Sequence, residues 1–290
     1  MVPRCGKGKG ALLHVAAMAI QIIAEPSVTK LDARHRDVVL VAGSHGGVIA
    51  GFLAARAAVR AVILNDAGVG RDRAGISSLP YLEKIGMAAA TVSHMSARIG
   101  DGADMLARGV ITHANAIAAR LGVRAGQSCG EAAERLRDAP AATAAPPPYE
   151  EARFPIQETP GEPAIWGLDS VSLVLPEDKN RIVVVGSHGG ILGGKPETAM
   201  KHDAIAAVFN DAGVGADGAA LTRLPPLAAR GIAAVTVDCM TARIGDARSS
   251  WETGVLSHAN AMAKTLGAKP GMTTQDFVGL VVEAYRKKNG

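Results

Sequence analysis

The chain has 290 residues, of which 48% are hydrophobic and only 3% aromatic, and its formal net charge is +4. Six basic residues lie at the two ends of the chain, and their six positive charges exceed the net charge of the whole chain. The rest of the chain is therefore slightly acidic and offers no basic stripe for nucleic acid. The few aromatic side chains also argue against stacking on single strands. We therefore expect no nucleic-acid partner. The six basic residues are Arg4, Lys7, Lys9, Arg286, Lys287 and Lys288.

Residues 1–24 combine basic residues with an apolar run over 11–24, a pattern that loosely resembles a signal peptide. His14 and Gln21 interrupt the run, which is also too short to span a bilayer. We predict a tail or a helix here, with a cleaved targeting segment as the alternative, and no membrane partner. The cysteines lack metal-ligand spacing and favour a reducing cytoplasm. They are Cys5, Cys129 and Cys239.

In chain order, apolar runs predict buried strands at 38–42, 61–64 and 87–92, after a short strand-like segment at 27–29. The stretches between and after them predict helices at 48–59, 79–85 and 102–121, with Gly122 as C-cap, and a short helix opened by Ser128 and Glu131. The second half repeats the order with strands at 182–185, 204–209 and 232–237, a helix at 251–266 and a last helix from about 275. Such alternation predicts a mainly parallel sheet covered by helices.

An internal duplication explains why the order repeats. Gly43-Ser44-His45-Gly46-Gly47 recurs 143 residues later as Gly186-Ser187-His188-Gly189-Gly190. Three further blocks recur 145 residues later, which indicates two copies of one unit. These blocks are Asn65-Asp66-Ala67-Gly68-Val69-Gly70 with Asn210-Asp211-Ala212-Gly213-Val214-Gly215, Ala97-Arg98-Ile99-Gly100-Asp101 with Ala242-Arg243-Ile244-Gly245-Asp246, and His113-Ala114-Asn115 with His258-Ala259-Asn260.

We therefore predict an internally duplicated α/β protein with two Rossmann-like three-layer units related by a pseudo-two-fold axis. The first repeat spans residues 1–139 and the second 168–290, and a proline-rich linker at 140–167 separates them. The halves should pack as a homodimer of the single unit would. We also expect the two-half chain to form a homo-oligomer.

The repeated polar blocks follow predicted strands, and ligands in open α/β sheets bind beyond the carboxyl ends of the strands. The intervening strands and helices have diverged between the copies, whereas these turns have not. Folding alone would not require the same Ser, His, Asn, Asp and Arg twice. We therefore place the candidate site at these turns.

The Gly-Ser-His-Gly-Gly blocks suggest anion binding and proton transfer. The glycines, Gly46, Gly47, Gly189 and Gly190, would let backbone N–H groups approach an anion. Ser44 and Ser187 could donate a hydrogen bond or act as nucleophiles, and His45 and His188 could move protons. The alternative is a tight turn in which these groups are structural.

The Asn-Asp blocks contribute the substrate-binding candidates Asn65 and Asn210 and the catalytic candidates Asp66 and Asp211. The aspartates could orient a histidine, abstract a proton or bind a cation, and an Asx-type turn is the alternative.

The Arg-Ile-Gly-Asp blocks contribute Arg98 and Arg243 as ligands for a substrate anion, with intramolecular ion pairs as the alternative. For His113 and His258 we expect a packing role inside the long helices. The pseudo-symmetric build resembles the architecture of aspartate/glutamate racemases. Cys239 aligns with His94, however, so the paired thiols of that family are missing.

These residues predict an enzyme acting on a small anionic metabolite that carries a carboxylate or phosphate. Ser, His and Asp at strand ends favour a hydrolase, with a lyase or isomerase as the alternative. A non-catalytic module that binds a nucleotide or sugar phosphate also fits the same turns. None of these readings requires a cofactor, although a divalent metal could be bound.

Overall fold

The computed structural model describes residues 20–289, which form two mostly parallel sheets. The first sheet follows chain order: β1 (Ile22–Glu25), β2 (Val39–His45), β3 (Ala61–Asn65), β4 (Ala88–Val92) and β5 (Ile111–Ala114). The second runs in reverse order from β11 to β6: β6 (Arg153–Gln157), β7 (Ile165–Leu168), β8 (Ile182–His188), β9 (Ala206–Asn210), β10 (Ala233–Val237) and β11 (Leu256–Ala259). The pairs β4–β5, β10–β11 and β6–β7 are antiparallel, and the others are parallel.

Helices cover both faces of each sheet. In the first half they are α1 (Val48–Arg56), α2 (Ser78–Glu83), α3 (Gly102–Arg108), α4 (Ala116–Arg120) and α5 (Cys129–Leu136). In the second they are α6 (Leu224–Ala229), α7 (Ala247–Thr253), α8 (Ala261–Thr265) and α9 (Thr274–Asn289). None of these helices in the described chain is long and apolar enough to cross a membrane.

Each sheet has an apolar core on either side because side chains alternate along a strand. Leu40 and Val62 face one core together with Leu82 of α2. Val41 faces the other together with Leu136 of α5. The duplicated three-layer α/β fold expected from the sequence is therefore confirmed.

The long helices predicted at 102–121 and 251–266 are wrong. In both copies the helix ends at a glycine, Gly109 or Gly254, that has extended backbone and lies against the preceding turn. The strands β5 and β11, which begin two residues after these glycines, pair antiparallel with β4 and β10, so that His113 and His258 lie on edge strands. The asparagines Asn115 and Asn260 are instead N-caps of α4 and α8, a role that suits their short amide side chains.

Two further segments differ from the prediction. The strand-like segment predicted at 27–29 and its counterpart at 170–172 are short 3-10 helices, Val28–Lys30 and Val171–Leu173, each capped by a serine side chain. Residues 22–24, predicted as tail or helix, belong to β1, while residues 1–19, which bear on the targeting question, lie outside the described chain. Strands β6 and β7 belong to the second sheet, although the sequence boundary puts all of β6 and most of β7 in the linker.

The two halves meet through the carboxyl ends of their sheets. Arg71 N–H donates to the Cys239 carbonyl at 2.8 Å, and Ala216 N–H donates to the His94 carbonyl at 2.7 Å. These two bonds join equivalent positions in opposite directions, which is the signature of a two-fold contact. The glycines of the Asn-Asp blocks also meet here, because a Cβ on Gly68 would lie 3.2 Å from Gly213 Cα.

Both Asn-Asp loops are held in an unusual left-handed conformation. Val69 has φ 61° and Val214 has φ 65°, and the alanine two residues earlier in each loop also has positive φ. A β-branched residue at positive φ is disfavoured and persists only where its surroundings fix it. The same strain in both copies indicates that the contact between the halves fixes these loops.

Candidate functional site

A cavity of about 530 Å³ lies between the two halves and is lined by equivalent residues from both. We call it the axial cavity because the Gly-Ser-His blocks and the serine-capped 3-10 helices of both halves border it. It is therefore one cavity shared by the two halves. The side chains that matter for its chemistry are Ser44, His45, Ser187, His188, Glu151 and Arg223.

His45 and His188 are the central pair of this cavity, with ring centroids 6.5 Å apart and ring planes at 78°. Each Nδ1 accepts a hydrogen bond at 3.1 Å from a backbone N–H two residues on, that of Gly47 or Gly190. An Nδ1 that accepts cannot carry the proton of a neutral imidazole, so the proton lies on Nε2. Neither Nε2 has a hydrogen-bond partner within residues 20–289.

Burial keeps both rings uncharged. It lowers the pKa of His45 to about 4. Burial also lowers the pKa of His188 well below its usual value, and the charges of Arg223 and His45 add to this effect. At neutral pH the site therefore presents two neutral rings, each with an N–H donor available to a ligand.

The serines serve the local structure. The Ser44 Oγ accepts from Val28 N–H at 3.1 Å and donates to Ser27 Oγ, and Ser187 Oγ accepts from Val171 N–H at 3.0 Å. Within the described residues neither hydroxyl is bonded to a histidine, so neither has the base that a serine nucleophile requires. The geometry does not support the nucleophile role considered from the sequence.

Glu151, a residue that the sequence reasoning missed, stands on the wall of the axial cavity. It lies just before β6 and is half-buried. Burial raises the pKa of Glu151, and the neighbouring Asp169 charge raises it further, against the opposing effects of Ser170 and Arg56. A carboxyl group with a raised pKa can exchange protons nearer neutrality than an exposed one. No repeat could reveal this residue, because it lies in the linker.

Arg223, also missed, is the largest side chain that is almost fully buried, with only 1% exposed. Its Nε donates to the His188 carbonyl at 3.1 Å, and its Nη1 donates to the carbonyls of Thr198, at 2.6 Å, and Ala199. The equivalent position in the first half is Ser78, so the two copies of the repeat differ at this position. This difference between the copies is the sequence signal that could have identified Arg223.

The four N–H groups expected to approach an anion, those of Gly46, Gly47, Gly189 and Gly190, all donate to groups of the chain itself. Gly46 N–H donates to the Asn65 carbonyl at 2.7 Å and Gly189 N–H to the Asn210 carbonyl at 2.8 Å. The N–H groups of the other two glycines bind the histidines, as described above. The missing side chain serves close packing, since a Cβ on Gly46 or Gly189 would lie 2.5 or 2.3 Å from a carbonyl oxygen.

The Asn-Asp blocks form the turns that the alternative interpretation described. Asn65 Oδ1 accepts from Ala67 N–H, and Asn210 Oδ1 from Ala212 N–H, both at 2.9 Å. Both asparagines are fully buried and line none of the cavities described here.

The aspartates of these blocks bind the following loop rather than the axial histidines. Asp66 Oδ1 accepts from His94 Nδ1 at 2.8 Å and from His94 N–H at 2.9 Å, while Asp211 Oδ1 accepts from Cys239 N–H at 2.9 Å. Burial raises the pKa of Asp66, but the bonds from His94 and Gly68 outweigh it and leave that pKa below the usual value.

Arg98 and Arg243 form ion pairs, again as the alternative interpretation described. Arg98 Nη2 lies 2.9 Å from Asp104 Oδ1, and Arg243 Nη2 lies 2.8 Å from Asp246 Oδ2. Arg243 also lines a cavity of about 190 Å³, and Arg98 lines its symmetric counterpart of about 300 Å³. Because carboxylates already compensate both charges, neither arginine is a free ligand for a substrate anion.

A buried Asp-Asp-Cys group could hold a metal ion. Asp211, Asp238 and Cys239 each offer one ligand atom, and these atoms lie within 4.8 Å of one another. Burial and the two aspartate charges raise the pKa of the Cys239 thiol to about 12, so it is protonated unless a metal displaces the proton.

Comparison of the chain with protein-family models, curated proteins and solved structures finds no match.

Proposed function

We propose that the protein is an enzyme that acts on a small carboxylate-bearing metabolite in the axial cavity, and that it hydrolyses an amide or ester bond there. One observation carries the proposal: two neutral imidazoles, each with its proton on Nε2, line the same cavity. The duplicated Ser-His turns fix this arrangement from both halves.

The histidines would act as hydrogen-bond donors rather than as bases. A neutral imidazole N–H can stabilise the negative charge that develops on a carbonyl oxygen, as oxyanion-hole donors do. The bonds from Gly47 and Gly190 to Nδ1 fix each ring before the substrate arrives. Such prior orientation lets the donors act without reorganisation during the reaction.

Glu151 would transfer the proton. As a carboxylate it accepts a proton from a water molecule while the water oxygen attacks the carbonyl carbon, and it then passes that proton to the departing nitrogen or oxygen. Its raised pKa and its half-buried position on the cavity wall support this role. The same groups could instead remove a proton next to a carbonyl, which is the lyase or isomerase alternative.

A panel of small amides, esters and 2-substituted carboxylates tests the proposal, with product detection by NMR. Glu151→Gln should lower kcat by at least a hundredfold while leaving substrate affinity within a few-fold, because glutamine retains the shape but cannot accept and release a proton. Glu197→Gln is the matched control, since Glu197 is an exposed carboxylate at the mouth of the same cavity. Equal kcat for both variants, or binding without turnover of any compound, would contradict the proposed hydrolase.

Metal dependence is tested in the same assay. The proposed chemistry uses only protein groups and water, so EDTA should leave turnover unchanged. Loss of turnover in EDTA and recovery with Zn²⁺ or Mn²⁺ would direct attention to Asp211, Asp238 and Cys239 instead.

A further inference from the structure

We propose that Arg223 binds the carboxylate group of the ligand in the axial cavity, so that the second half holds the charged end. This inference rests on the proposed function only in taking the axial cavity as the ligand site. It adds the substrate class, a monocarboxylate, and the orientation in which that substrate lies.

The guanidinium of Arg223 has a charge without a carboxylate counterpart. None of the ion pairs among residues 20–289 includes it, and its three hydrogen bonds all go to backbone carbonyls. Burial lowers the pKa of Arg223 to about 9, which still leaves the group charged at neutral pH. A buried charge is costly unless an opposite charge accompanies it.

The Nη2 atom of Arg223 is the part left available. Nε and Nη1 make the three bonds to carbonyls, and Nη2 makes none with the described part of the chain. The side chain borders the axial cavity. Its Nε bond to the His188 carbonyl places it beside the histidine that would polarise the substrate.

A structural role explains only part of this arrangement. In the first half, Gly51 of α1 packs against Ser78 of α2. In the second half residues 191–204 contain only the 3-10 helix Pro196–Thr198, and Arg223 binds the carbonyls of that irregular segment. The guanidinium also lies over the Phe209 ring, 5.6 Å from its centroid, and neither this contact nor the bonds to the segment use Nη2.

The surroundings favour a single negative charge on the ligand. Glu151 on the wall and Glu197 at the mouth add negative charge to the cavity, and Lys30 and Lys201 are exposed at its rim. Among the described lining residues, Arg223 is the one cation that is buried, and it pairs with neither glutamate. A monocarboxylate matches this balance better than a phosphate ester with two charges.

The test compares propionate with propionamide, which has nearly the same shape and no charge. Binding to the full chain is followed by NMR of the histidine ring protons at constant ionic strength. We expect propionate to bind at least tenfold more tightly than propionamide, and Arg223→Gln to remove that difference. Arg243→Gln, a surface arginine with its own aspartate partners, should leave the difference unchanged.

The outcomes separate this inference from the proposed enzyme activity. Equal affinity for propionate and propionamide in the unaltered protein would overturn the inference, and this comparison needs no variant to fold. Tighter binding of phosphate than of propionate would overturn the monocarboxylate assignment. Preferred binding of propionate with no turnover of any amide or ester would support the anion site and contradict the hydrolase.

Discussion

Nη1 of Arg243 lies 3.1 Å from Oδ2 of Asp72 in the other half, and Arg98 faces Asp217 across the same axis at 3.7 Å. These cross-half pairs use the two arginines that the sequence suggested as substrate ligands. All four side chains are about half exposed, so the pairs connect the halves at the surface rather than in the core.

The first prediction concerns this pairing. Arg243→Ala should lower the free energy of unfolding by no more than about 1 kcal/mol, because solvent and salt screen exposed ion pairs. Urea denaturation in low and high salt would show whether the loss shrinks with ionic strength. A hundredfold loss of substrate affinity with unchanged stability would instead restore Arg243 as a ligand.

The second prediction concerns the contact of the glycine loops. Gly213 has φ 74°, and a Cβ there would lie 2.9 Å from the His94 ring and 3.2 Å from Gly68 Cα. Gly213→Ala should therefore destabilise the protein by about 1 to 3 kcal/mol more than the backbone strain alone. The unfolding free energy from urea titration measures the loss.

Gly218→Ala provides the matched control for that prediction. Gly218 has a similar φ of 65° with open space around it, and its counterpart Arg73 already adopts φ 57°. The control should cost only about 1 kcal/mol, the usual penalty of a left-handed alanine. Equal losses for the two variants would show that the loops do not press on each other.

The third prediction concerns acid stability. Since the pKa of His45 is about 4 in the folded protein against 6.5 for an ordinary histidine, the unfolded state binds a proton first as the pH falls. Stability should be constant above pH 6.5 in this respect and should decline by about 3 kcal/mol between pH 6.5 and 4 from His45 alone. His188 acts in the same direction.

Urea denaturation at pH 7.0, 5.5 and 4.5 would measure that decline. His45→Gln should make the decline smaller, because glutamine does not titrate in this range and only the contribution of His188 remains. His258→Gln, on the edge strand β11, is the control and should retain the full slope. An unchanged slope in His45→Gln would mean that the ring is not held neutral by the fold.

Much of the fold follows from the sequence because apolar runs and repeated spacing are local or periodic signals. The turns at the ends of β2 and β3 were placed correctly for the same reason. The sequence wrongly predicts one helix at 102–121 because the end of α3 at Gly109 depends on the pairing of β5 with β4, which is a tertiary contact. Apolar periodicity alone does not separate such a short edge strand from a helix.

The site was harder to predict than the fold. Repetition identified His45 and His188 but equally Asn65, Gly46 and Arg98, whose polar groups serve turns and ion pairs. Only the distances between atoms in the structure distinguish a polar group that already has a hydrogen-bond partner from one that lacks a partner. Glu151 and Arg223 have no identical counterpart in the other half, so a search for duplicated motifs could not find them.

The hydrogen bonds between the halves also constrain how the chain folds during its synthesis. Arg71 meets Cys239, and Ala216 meets His94, so the left-handed loop of the first half has no counterpart until the chain has been synthesised past residue 239. Because long-range contacts form late, the loop of the first half stays exposed until the second half has been synthesised and has folded against it. Co-translational assembly should therefore depend on the second loop, and a ribosome-bound first half should be the species that chaperones recognise.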